Sequence, residues 1–82
     1  MSTYFISYDL IANKDYNRLY GELEKFGAIR ILESVWCLKK NNTNDIDLRN
    51  HFRNFIDDDD RLLIIESSGW ASCKLLRSPN DL

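Results

Sequence analysis

An α+β fold, with one antiparallel sheet and both helices on one of its faces, follows from three observations. Two segments, Asp15–Phe26 and Asp45–Ile56, place apolar residues at the spacing of a single helical face. Four short runs, beginning at Thr3, Ala28, Val35 and Arg61, are rich in the β-branched and aromatic residues that suit a pleated, half-buried surface. In chain order these give strand, helix, strand, strand, helix, strand, the ferredoxin-like βαββαβ plan. A further run, Trp70–Leu75, alternates enough to predict an extra C-terminal strand.

The first strand, Thr3–Tyr8, runs directly into Asp9. After a loop from Leu10 to Lys14, Asn13 or Asp15 is placed to cap the first helix. Tyr16, Leu19, Tyr20, Leu23 and Phe26 form its apolar stripe, and Gly27 follows where a left-handed C-cap belongs. Ala28–Leu32 and Val35–Lys39 read either as one long strand or as two with a bend near Leu32–Ser34. Thr43 or Asn44 caps the second helix, Asp45 and Asp47 favour its positive end, and Leu48, Phe52, Phe55 and Ile56 form its stripe. Asp57–Asp60 would oppose the dipole at the negative end, so the helix should stop near Ile56 and the acids form a solvated loop. Arg61–Glu66 is nearly continuously apolar, as expected of a central strand covered on both sides.

The 82 residues are enough for one domain, residues 1–82, with 78–82 as a frayed tail. A domain of this size buries only about 60–65% of its unfolded surface, so the core is thin. The sheet face away from the helices carries apolar residues with nothing predicted to cover them. That face calls for a partner, most simply a second copy across a two-fold axis. No apolar run approaches the roughly 18 residues that span a bilayer, and the first residues lack a signal-peptide pattern. The expectation is a cytoplasmic protein without a membrane partner. Cys37 and Cys73 have no metal-ligand spacing and read as buried free thiols.

Asp9 is the residue with the clearest chemical consequence. A carboxylate at the tip of a buried strand is costly unless it is solvated, hydrogen-bonded or bound to a cation. One reading has Asp9 capping the loop that follows; the other has it holding a metal. The formal net charge of −2 argues against a general nucleic-acid coat but leaves room for a local basic patch. Arg18, Arg30, Lys39, Lys40, Arg49, Arg53 and Lys74 are available for phosphate contacts, with Lys39, Lys40, Arg49 and Arg53 as one candidate patch. The competing reading pairs them with surface acids. His51 lies between Arg49 and Arg53 and reads as a solvated surface residue. Trp36 and Trp70 read as core or dimer-interface side chains.

Three stretches together resemble the CRISPR-associated protein 2 family and, more distantly, the virulence-associated protein D toxins. They are Tyr8-Asp9-Leu10, the run Gly27–Trp36 with its Arg30 and Ser34-Val35-Trp36, and Ile56-Asp57 through Asp60–Ile64. The resemblance implies a ferredoxin-like homodimer in which Asp9 faces its twin near the two-fold axis. It implies a magnesium-dependent endonuclease, with RNA as the expected substrate and Asp9 as catalytic residue and metal ligand. Tyr8 and Ser34 would support Asp9 as neighbouring hydrogen-bond donors, and Arg30, Lys39, Lys40, Arg49 and Arg53 would bind nucleic acid. Other members of the family are non-catalytic duplex-gripping components, so a silent adaptor that binds nucleic acid, or a protein partner from a CRISPR or toxin system, stands as the alternative. The overall acidity and Asp57–Asp60 weigh against duplex gripping.

Overall fold

A computed structural model of the chain describes residues 2–11 and 16–82. The helix caps expected at Asn13 or Asp15 lie outside the described residues. The elements are β1 (Ser2–Asp9), α1 (Asn17–Lys25), β2 (Ile29–Leu32), β3 (Val35–Lys40), α2 (Asp45–Phe52) and β4 (Arg61–Ser67). Short 3-10 turns occupy Arg53–Phe55 and Pro79–Asp81. The sheet order is β2-β3-β1-β4 with antiparallel pairing throughout, the ferredoxin-like arrangement.

Strand alternation divides β1 between the two faces of the sheet. Tyr4, Ile6 and Tyr8 are buried under the helices, packed with Leu19, Leu23, Trp36, Leu38, Leu48 and Phe52. Thr3, Phe5, Ser7 and Asp9 point the other way. There Phe5 joins a second cluster built on Ile29, Ile31 and Cys37, against which Val35, Leu75 and Leu82 pack.

Local chemistry explains the element ends. Gly27 takes the left-handed conformation (φ 72°), with Gly27 N donating to Glu24 O and Ala28 N to Leu23 O, a Schellman C-cap for α1. Asn44 caps α2 by accepting from Asp47 N at 2.8 Å. Between β2 and β3 the chain bends, with a register shift between Arg30 and Leu32, so the two runs are separate strands.

Several expectations are corrected. Arg61–Ser67 is an edge strand, not a central one: Leu62 and Ile64 face the helix-side core while Leu63 and Ile65 stay 55% and 45% exposed. Trp70–Leu75 forms no strand. Lys74 sits at φ 56°, which interrupts any extended run, and the segment meets β2 through Leu76 N donating to Ile31 O. The face opposite the helices is therefore partly covered by the chain's own C-terminal segment. Residues 78–82, expected as a frayed tail, carry a terminal 3-10 turn. Ser78 and Asp81 form a capping box around the terminal 3-10 turn, and Pro79 is buried. Cys37 is buried as expected, whereas Cys73 is exposed. Trp36 is a core residue, but Trp70 is 41% exposed and outside the core. Among the described residues no helix is long and apolar enough to cross a membrane.

Candidate functional site

Asp9 closes β1 on the sheet face away from the helices. Register places it directly opposite Arg61, the first residue of β4. The Arg61 Nη1 to Asp9 Oδ2 distance is 3.6 Å, and both side chains are about two-thirds or more exposed (73% and 67%). Among the described residues, the Asp9 carboxylate accepts no backbone hydrogen bond from the following loop. Among the described residues the Arg61 guanidinium is the cation paired with it, and an exposed surface pair of this kind holds the carboxylate loosely.

Tyr8, one residue back, faces the opposite side of the sheet. Its hydroxyl donates to Glu33 O at 3.3 Å and accepts from Trp36 Nε1 at 3.1 Å. Burial, followed by the Tyr20 hydroxyl, raises the Tyr8 phenol well above its ordinary value. Tyr8 is thus a fixed donor and stays protonated at neutral pH. Ser34 is exposed on the β2–β3 turn, and its carbonyl accepts from Tyr8 N at 3.2 Å. Neither side chain hydrogen-bonds Asp9 in the isolated chain.

Arg30 lies at the same end of the sheet. Its Nε and Nη2 both donate to Glu33 O, the former at 2.9 Å. Its guanidinium carbon sits 5.0 Å from the centre of the Tyr20 ring. Tyr20 in turn stacks on Trp36, with ring centroids 5.6 Å apart at 28°. Asp9, Tyr8, Ser34, Arg30, Tyr16, Tyr20 and Arg61 share the lining of one open cleft of about 460 Å³.

The other basic candidates are elsewhere. Lys39 and Lys40 pair with Thr3 and Ser2, at the end of β1 remote from Asp9. With about 3.3 Å per strand residue, that separates them from Asp9 by roughly 20 Å. Lys40 Nζ lies over the Phe26 ring at 5.3 Å. Arg49 and Arg53 are exposed on the second helical segment, and the Arg49 guanidinium bonds the Asn50 side chain. His51 is only partly solvated: its Nε2 meets Glu22 Oε2 at 2.5 Å, and Phe26, Phe52 and Phe55 surround its ring.

A second group could hold a cation. Carboxylate oxygens of Asp57, Asp59 and Asp60 lie within 4.8 Å of one another. The Asp60 carboxylate already accepts from Ile11 N at 2.9 Å and Asp57 N at 2.8 Å, so it fastens the turn that precedes β4. Asp57, Asp58 and Asp59 are exposed, in keeping with a solvated loop.

Arg61, Tyr16, Tyr20 and the Glu33 carbonyl were not singled out by sequence reasoning as parts of the site. Arg61 could have been found from the antiparallel pairing of the first and last strands, which sets it against Asp9. Their spacing places Tyr16 and Tyr20 in an apolar helix stripe, yet only Leu19 and Leu23 of that stripe are buried.

The fold and site define a ferredoxin-like protein with an exposed acid at the end of its central strand and a guanidinium and aromatic cluster beside it. Residues 1–73 match the family described as CRISPR associated protein Cas2. The chain belongs to that CRISPR-associated family. No solved structure matches the chain.

Proposed function

We propose that this protein is a homodimeric, magnesium-dependent endonuclease, with RNA the favoured substrate, whose metal is held by Asp9 from each of two copies. The observation that carries the reading is the position of Asp9: exposed on the sheet face away from the helices, free of backbone bonds among the described residues, and next to the apolar edge formed by Leu63 and Ile65. A second copy packed on that edge would shelter those side chains and bring two carboxylates together. Two such acids repel unless a cation lies between them. The donor set suits magnesium, which keeps several waters and takes one or two protein carboxylates with phosphate oxygens. When bound, the metal would polarise the scissile phosphate and lower the pKa of a coordinated water. Arg30 supplies positive charge for the phosphate backbone at the same end of the sheet. Tyr8 holds the β2–β3 turn, and with it Ser34 and the Glu33 carbonyl that orients Arg30. The partners on this reading are a second copy, nucleic acid and a protein component of a CRISPR system.

Labelled RNA and DNA, incubated with wild type and Asp9→Asn in magnesium or chelator, provide the test. Cleavage should fall to background in the variant and with chelator, while sedimentation shows the variant still dimeric. Cleavage that survives either treatment sinks the reading. Absence of cleavage in wild type, with binding retained by Asp9→Asn, favours the silent adaptor.

A further inference from the structure

We propose that the cleft beside Asp9 is a binding site for one unpaired nucleobase, stacked against Tyr16 and the Arg30 guanidinium. The proposal rests on the reading above only in taking nucleic acid as the ligand. Four observations carry it. First, the Tyr20 ring stacks on Trp36 with centroids 5.6 Å apart, and the Arg30 guanidinium carbon lies 5.0 Å from the centre of the same Tyr20 ring. Planar guanidinium and aromatic faces are the surfaces on which splayed bases stack. Second, that guanidinium is already ordered. The Glu33 carbonyl accepts from two of its nitrogens and the Tyr20 hydroxyl lies 3.4 Å from Nη2, so little rotamer freedom is lost on binding.

Third, Arg30 meets no carboxylate within 4.0 Å among the described residues, although the chain as a whole is acidic. A positive charge spent on a backbone carbonyl and an aromatic face leaves its attraction for phosphate uncancelled. Fourth, Tyr16 stands at the start of α1 with its ring 6.1 Å from that of Tyr20, and it lines the same cleft as Arg30 and Asp9. The cleft's volume, about 460 Å³, lies in the range of small-ligand pockets. A base inside a duplex presents only its edges, so the occupant must be unpaired. A base held here sets its own phosphate beside Asp9, which fixes which bond is presented.

The test is binding, measured with the Asp9→Asn protein so that cleavage plays no part. Fluorescence anisotropy compares a short single-stranded oligoadenylate with a fully abasic strand of the same length and charge, and with the corresponding duplex. The oligoadenylate should bind best. Tyr16→Ala should weaken it by about fivefold or more while leaving the abasic strand and the duplex unchanged. Tyr16→Phe should restore it, and thermal melts should show both variants folded. Equal affinity for intact and abasic strands, equal weakening of both by Tyr16→Ala, or no binding of any strand overturns the proposal. A protein that never cleaves but shows this base dependence retains the site and loses only the catalytic reading.

Discussion

On the helix side of the sheet, Tyr4, Ile6, Tyr8, Trp36 and Leu38 are each at most 5% exposed. On the other side, Phe5 and Cys37 are covered only by irregular chain carrying Leu75 and Leu82, and Leu63 and Ile65 remain open. Both faces come from the same strands, and β1 contributes alternate residues to each. The sealed face supplies what a small domain needs to stay folded. The loosely covered face keeps apolar surface in reserve and ends in the one acid of the strand. Stability and chemistry are thus separated by strand parity, with Tyr8 and Asp9 adjacent in sequence and on opposite sides.

The largest expected effect tests that separation directly. Leu23, fully buried under the sheet, should cost about 2–5 kcal/mol of unfolding free energy when changed to Ala. Leu63→Ala, on the open side, should move monomer stability by no more than about 0.5 kcal/mol, and Leu63→Lys should abolish the proposed dimer in sedimentation. Comparable losses in denaturant melts for Leu23→Ala and Leu63→Ala would erase the distinction between the faces.

A smaller effect sharpens it through pH. Cys37 is the most buried group of the tail-side cluster, and burial pushes its thiol from 9.0 up to about 11. A raised folded-state value means that the neutral thiol is the form the fold favours. Its contribution is intact below pH 9 and declines as pH rises toward 11, because the unfolded chain ionises first. The decline should amount to roughly 1–3 kcal/mol. It is read as the difference between wild-type and Cys37→Ala unfolding curves across that window. Identical pH slopes would mean that the tail fails to exclude water from Cys37.

The plan of the fold was legible because its signals are local. The spacing of Leu19 and Leu23, the Gly27 C-cap and the Asn44 cap each act within a few residues. What escaped depends on sheet position and long-range order. An apolar run such as Arg61–Ser67 reads as central, and nothing within it records that only one neighbour, β1, pairs with it. The C-terminal segment alternates like a strand, but the backbone at Lys74 and the docking of Leu75, Pro79 and Leu82 decide otherwise. In the site, Asp9 stood out because an acid at a strand end has few inexpensive fates. The cleft beside it did not, since Tyr16, Tyr20 and Arg30 come together only when α1 packs over β2 and β3.

A small stability effect also belongs to Arg61, and it separates charge balance from folding at Asp9. Its ion pair with Asp9 is long and exposed on both sides, so Arg61→Ala should change unfolding free energy by less than about 1 kcal/mol. Removing a cation beside the carboxylate should nonetheless help a divalent ion compete for it. At a separation near 6 Å in a watery setting, a doubly charged ion and a guanidinium repel by about 1 kcal/mol before salt screening. The magnesium concentration for half-maximal cleavage should therefore fall severalfold in Arg61→Ala, measured at low ionic strength, and the gain should shrink as salt is added. A rise in that concentration would place Arg61 on the phosphate rather than against the metal, making it a substrate contact on the open side of the sheet.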